Sequence, residues 1–334
     1  MQFLAVPLSL LLAVASSAEV PLYGPGGVSP TAVRQGILGS CYFHASVAAV
    51  AEANPAAIRS AISGAPKSGY KVHFVSGPDE LVYSKDVEYA RTHNYDHSDG
   101  EWVTVLMRGY AQRELRKGLI ESIDRSKTIP GFMKPVALSA LRQTGPLVVA
   151  YDRAVRSVVS QDGRMDKATF KAQLTQEFNS LGIPAAQAGV LVGLIDHAGV
   201  YDSLAKTVQA NGEVFGAYRG MSQGGICVNV LAALLGTARS SEVSDTAALV
   251  SRLRRLHAGK EAMVAGTQSS GNSSAGGADW FVASHAYTLL DYEEGSRMIL
   301  LRNPWAMKPG PDGVFKLPLR TFQQNFLTDS YSPE

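Results

Sequence analysis

The amino-acid sequence predicts an α+β protein of two lobes, and three observations lead there. Apolar residues recur at helical spacing through the first two thirds of the chain. Short runs rich in Leu, Ile and Tyr, separated by turn residues, follow after Ser284. Between them lies Gly266 to Gly277, rich in Gly, Ser and Ala, a composition that favours a surface linker over a packed element. The expected division is a leader over residues 1–18, a helical lobe over 19–235 and a strand-rich lobe over 236–334.

The leader reads as a secretory signal. An apolar run from Leu4 to Val14 is followed by Ser16, Ser17 and Ala18, small residues suited to a signal peptidase, and the run is shorter than the roughly 20 residues needed to span a bilayer. No basic residue precedes the run, and Pro7 interrupts it. The expectation is a secreted or extracytoplasmic protein without stable membrane insertion. Glu19 to Arg34 is an irregular, Pro- and Gly-rich lead-in.

From Cys41 onward Phe43, Val47 and Val50 keep helical spacing until Asn54-Pro55, so Cys41 opens a helix. Val103, Leu106, Met107, Tyr110, Ala111 and Leu115 predict one apolar face of a second helix. Phe170, Leu174, Phe178 and Leu181 predict another, closed by Gly182 and Pro184. Downstream, Ser284–Tyr292 and Arg297–Arg302 form a hairpin pattern around Glu293 to Ser296, and Gly313–Leu317 reads as a further strand.

Composition limits the function classes. The chain has 334 residues, 46% hydrophobic and 18% charged, enough to bury a sizeable core. Lys and Arg number 31 against 29 Asp and Glu, with no basic run to make a footprint for nucleic acid. Cys41 and Cys227 are its only cysteines, too few for a disulfide framework. Cys227 reads as a buried apolar residue.

Cys41 follows two glycines in Gln35-Gly36-Ile37-Leu38-Gly39-Ser40-Cys41 and sits at a helix start. The unpaired first-turn amides and the positive end of the helix dipole favour an anion there, easing formation of a thiolate. The Cys41 amide also suits an oxyanion hole, to which Gln35 can add a side-chain donor. Among the seven histidines, His285 begins a strand whose hairpin partner ends at Asn303-Pro304-Trp305. Asn303 could then orient the imidazole and Trp305 could shield the pair from water. On the residues alone, His285 reads equally well as a satisfied core histidine and Asn303 as a turn residue.

Gln35 to Phe43 resembles the nucleophile motif of calpain-like cysteine peptidases, a branch of the papain-like Cys-His-Asn superfamily. Ser284-His285-Ala286-Tyr287 and Leu300-Leu301-Arg302-Asn303-Pro304-Trp305 resemble that family's histidine and asparagine motifs, in the same order. Gly100 to Leu115, Gly224-Gly225 and Asp312-Gly313-Val314-Phe315 give weaker matches. The resemblance implies a papain-like two-lobed core with Cys41 as nucleophile, His285 as general base and acid, Asn303 as orienting amide and Gln35 as oxyanion donor. It also implies that Gly224 and Gly225 face a bound peptide and that Trp305 lies between the lobes.

Four residues depart from the family pattern: Ser40 replaces Asp, Tyr42 replaces Trp, and Ser284 and Ala306 each replace Gly. The interval between Cys41 and His285 exceeds that of the family, which implies a mostly helical insertion over about 119–214. Within it, Ser160 to Asp166 has a faint EF-hand look but lacks the acidic ends of a calcium loop. No cofactor is required by the sequence, and calcium enters only by family resemblance, without assignable ligands. The expected function is a monomeric thiol endopeptidase acting on protein or peptide substrates. An acyltransferase using the same triad and an inactive peptide-binding relative are the alternatives.

Overall fold

A computed structural model of the chain describes residues 21–127, 129–143, 145–158, 166–196, 216–259, 261–269, 281–307 and 309–332. The expected signal segment, most of Ser160 to Asp166, the end of the expected insertion and most of the Gly/Ser/Ala-rich stretch lie outside the described residues.

Mixed helix and sheet make an α+β fold, with twelve α-helices and two antiparallel sheets among the described residues. The first helix, α1 (Cys41–Ala53), is buried without interruption from Tyr42 to Ala51. Its small residues Ala45, Ser46, Ala48 and Ala49 let other elements approach on every side, so it lacks the single apolar stripe of a surface helix. Next come α2 (Pro55–Ala61), β1 (Ile62–Ala65), β2 (Gly69–Val72), β3 (Glu80–Val82), α3 (Ser84–Thr92) and α4 (Trp102–Arg125).

Strands β1, β2 and β3 form an antiparallel three-stranded sheet, so the region expected to be helical carries a sheet of its own. Helix α4 also differs from expectation. Rather than burying one face, it is buried on all sides from Trp102 to Gln112. Partners outside the helix accompany the burial of its polar residues: the Thr104 hydroxyl donates to Asp96 in the preceding loop, and the Arg108 guanidinium bonds the distant Asp152.

Helices α5 (Met133–Gln143), α6 (Gly145–Val158), α7 (Lys167–Ser180) and α8 (Ala185–Asp196) follow in the region read as an insertion. Leu147, Tyr151, Phe170, Leu174 and Phe178 build an apolar cluster there. A buried ion network ties it to α3 and α4. Asp152 accepts from Arg108, from Arg156 at 2.9 Å and from the Ala217 amide at 2.6 Å. Asp86 accepts from Arg153 at 3.0 Å and from Arg156 at 2.8 Å.

The remaining elements are α9 (Ala217–Ser222), α10 (Cys227–Leu235), β4 (Arg239–Glu242), α11 (Thr246–His257), β5 (Met263–Thr267), β6 (Ala286–Glu293), β7 (Met298–Arg302), β8 (Val314–Pro318), α12 (Leu319–Asn325) and β9 (Phe326–Tyr331). Six strands form an antiparallel sheet in the order β4-β9-β5-β6-β7-β8. The region expected to be strand-rich therefore also holds α11, whose Leu249, Leu253 and Leu256 pack on the sheet residues Leu289 and Leu301. Gly266 and Thr267, read from composition as linker, belong to β5, because β6 and β9 pair with both sides of that strand. Ala262, Val264 and Ala286 join the apolar cluster around α1, so one core connects that helix to the sheet. Among the described residues no helix is long and apolar enough to cross a membrane.

Candidate active site

Cys41 is the first residue of α1, with Ser40 as its N-cap. The approach to the helix is held by close backbone contacts that only glycine permits. A Cβ on Gly36 would lie 2.0 Å from the Asn94 carbonyl oxygen, and one on Gly39 would lie 2.4 Å from that of Ser222. The Cys41 side chain opens into a cleft of about 1100 Å³. Burial pushes its thiol up from the ordinary value, outweighing the backbone hydrogen-bonding contacts with Ala286, Tyr42 and Cys41 itself, which pull it down. The first-turn amides thus act in the direction the sequence suggests, and loss of water works against them in the free cleft.

His285 lines the same cleft. Residues Glu294 to Arg297 turn the chain between β6 and β7, and Thr288 pairs with Arg302, which brings His285 alongside Asn303. The imidazole Nε2 and Asn303 Oδ1 are 3.0 Å apart, and the Trp305 backbone N–H donates to the same oxygen at 3.1 Å. That second donor fixes Oδ1 as an acceptor, so Nε2 carries the proton and Nδ1 is left as the basic nitrogen. The Trp305 ring lies against the imidazole with centroids 4.5 Å apart. With His285 only 5% exposed, burial pushes its pKa down to about 4, against the opposing pull of the Asn303 hydrogen bond. Both shifts favour a neutral thiol beside a neutral imidazole.

Gln35 is buried at the cleft wall, where its Nε2 donates to the Leu38 carbonyl at 2.6 Å and its backbone N–H to that of Pro304 at 2.9 Å. A side-chain amide has two N–H donors, so this bond leaves a second one for another acceptor. Gly224 also lines the cleft, with a φ of +84° that favours glycine. Gly225 does not reach it. It borders an adjoining pocket and packs on Tyr42, whose ring would lie 2.5 Å from an added Cβ. Cys41, His285, Asn303, Gln35, Trp305 and Gly224 are thus brought together, and Gly225 stands behind them.

Sequence reasoning missed several residues that hold the site. The Thr267 hydroxyl accepts from the His285 backbone N–H at 2.9 Å and donates to the Val282 carbonyl at 2.7 Å, anchoring His285 just ahead of β6, which starts one residue later than the sequence suggested. Its position within the Gly/Ser/Ala-rich stretch hid it, and no local signal marks its pairing. Behind the nucleophile, His44 is fully buried with its Nδ1 3.1 Å from Ser40 Oγ and 3.0 Å from Ser40 O. The i, i+4 spacing of Ser40 and His44 was a readable hint. Cys227 opens α10, and burial pushes its thiol up to about 12; both cysteines are free. Among the described residues no group of three or more His, Cys, Asp or Glu is arranged to hold a metal ion.

No family model matches the chain, and no curated protein matches it. Among solved structures, the chain is similar to the crystal structure of PepW from Lactobacillus rhamnosis HN001, determined as the selenomethionine derivative. The identity is 12% and the TM-score 0.30, over 95% of this chain and 81% of that one. A likeness that slight carries no argument about fold or activity.

Proposed function

We propose that the chain is a calpain-like cysteine endopeptidase with a papain-like two-lobed core. The observation that carries the proposal is the joint position of Cys41, at the start of a buried helix, and His285, bonded to Asn303, in one cleft. The departures from the family pattern add support. Ser284 and Ala306, which stand where calpains usually have glycine, have φ of 51° and 53°, in the left-handed region that glycine adopts without strain.

In this reading His285 Nδ1 takes the Cys41 proton as Sγ attacks the carbonyl carbon of a peptide bond. The Cys41 amide and the second Gln35 N–H stabilise the oxyanion. The imidazolium then protonates the departing amine, leaving a thioester on Cys41. Water, deprotonated by His285, attacks that thioester; the acid is released and the thiol regains its proton. Asn303 holds Nε2–H throughout, so that Nδ1 always faces the exchange. The mature enzyme acts outside the cytoplasm on peptide or unfolded-protein substrates.

The pH profile tests this directly. His285 must be neutral to accept the thiol proton, and its pKa is pushed down, so activity persists at mildly acidic pH and is lost as pH falls through about 4. Because the Cys41 thiol is pushed up, the alkaline limb lies above the ordinary thiol range. The kcat/KM for a quenched-fluorescence peptide should therefore trace a broad bell. An acid limb at the ordinary histidine value of about 6.5 would contradict the buried, neutral pair.

A further inference from the structure

Seven large apolar side chains are exposed among the described residues, and two of them, Ile37 at 71% and Met307 at 64%, line the Cys41 cleft. A third, Ile226 at 61%, borders the adjoining pocket that shares Gly224 with the cleft. Scattered exposed hydrophobics need no explanation, but their gathering around one groove marks a surface built to be covered.

Ile37 and Met307 lie two and three residues from the Gln35–Pro304 backbone contact, on the stretch of cleft wall that those two segments share. The Arg34 to Ile37 segment runs beside His97, through the His97 N–H to Arg34 O bond at 2.9 Å, and beside Pro304, through the Gln35 N–H bond. Trp305, Ala306 and Met307 continue from Pro304 along the same wall. Gly39 packs instead against Ser222, whose neighbours Gln223 and Gly224 line a separate stretch of the cleft.

Trp305 covers His285, the group that gives its proton to the departing amine, so the end bounded by Trp305, Ile37 and Met307 receives the leaving half of the substrate. Gly224, with little bulk, is left to the acyl half. We infer that Ile37 and Met307 select substrates carrying a bulky apolar side chain on the residue just after the scissile bond. This rests on the peptidase reading. The occupant is the substrate's own chain, because the apolar end is continuous with the cleft that holds the nucleophile.

The test compares two quenched-fluorescence peptides that differ only at the residue after the scissile bond, leucine in one and aspartate in the other, together with an N-acyl amino-acid methyl ester, which has no side chain on its leaving group. Wild type should prefer leucine by about tenfold or more in kcat/KM, the range one apolar pocket supplies. In the double variant Ile37→Ser, Met307→Ser the preference should fall to less than about threefold, through a loss of leucine-peptide turnover that exceeds any change in ester hydrolysis, with thermal midpoint unchanged. Undiminished preference in the double variant, no preference in wild type, or parallel loss of ester turnover would each overturn the assignment. The milder pair Ile37→Val and Met307→Leu should restore the preference. Failure of wild type to cleave any of the three compounds would instead remove the peptidase reading and this inference with it.

Discussion

Cys41→Ala is expected to lower kcat/KM for cleavage of an unfolded protein substrate by about 10⁵- to 10⁶-fold, the cost of removing a nucleophile that acts as a unit with its base. The thiol is the only atom group lost, and Cys41 is half-buried at a helix start, so stability should change by less than about 1 kcal/mol. His285→Ala should cost a similar factor, and the double variant no more than either single one, because neither group has a task without the other. The measurement is substrate cleavage read by new amino termini, alongside urea unfolding of each variant. Equal turnover by wild type and Cys41→Ala would remove the nucleophile assignment.

The second large effect concerns the fold. Asp152→Ala is expected to cost about 3–5 kcal/mol, the penalty for leaving a buried charge without its partner, and that is a large part of the 5–15 kcal/mol that typically separates folded from unfolded chains. Arg108 is wholly buried, and its bond to Asp152 ties α4 to α6; the same carboxylate anchors Arg156 and the amide that opens α9. Arg108 and Arg156 hold the Asp152 carboxyl down at about 2, against the burial that would raise it. A carboxyl depressed in the folded state contributes stability that is present above its ordinary value near 4 and lost as pH falls toward 2. Urea unfolding midpoints of wild type should therefore drop across that window, and Asp152→Asn should lose that part of the drop. A midpoint in Asp152→Ala equal to that of wild type would show that the network holds nothing.

The parts of this molecule that were legible in its sequence are those set by local pattern. The hairpin around Glu293 to Ser296 could be read because two short apolar runs flank turn residues, although the turn falls one residue later and an irregularity between Leu289 and Asp291 shifts the pairing by one, which no pattern foretold. From that hairpin came the meeting of His285 with Asn303. Cys41 as a helix start was readable from the glycines before it and the spacing after it. The small sheet was not, because β1, β2 and β3 are only three or four residues long and β1 exposes three of its four residues, leaving no alternation to detect.

Buried charge was hidden for a different reason. Arg108 and Asp152, or Arg252 on α11 and Asp329 on β9, pair across long stretches of chain, and nothing local distinguishes them from solvated surface residues. The depth of the cleft was equally unreadable. It is burial that raises the Cys41 thiol and lowers the His285 imidazole, and burial is a property of the assembled fold.

The proposed nucleophile, Cys41, should be addressed by peptides in the cleft it shares with His285. Treating the folded protein with a peptide-like epoxide and mapping the adduct by mass spectrometry tests it in one step, with and without calcium. A single adduct on Cys41 is expected, slowed strongly in Asn303→Ala, with the half-buried Cys227 unmodified because loss of water pushes its thiol up to about 12 and it lies outside the cleft. An adduct on Cys227 alone, or none on Cys41, would contradict it.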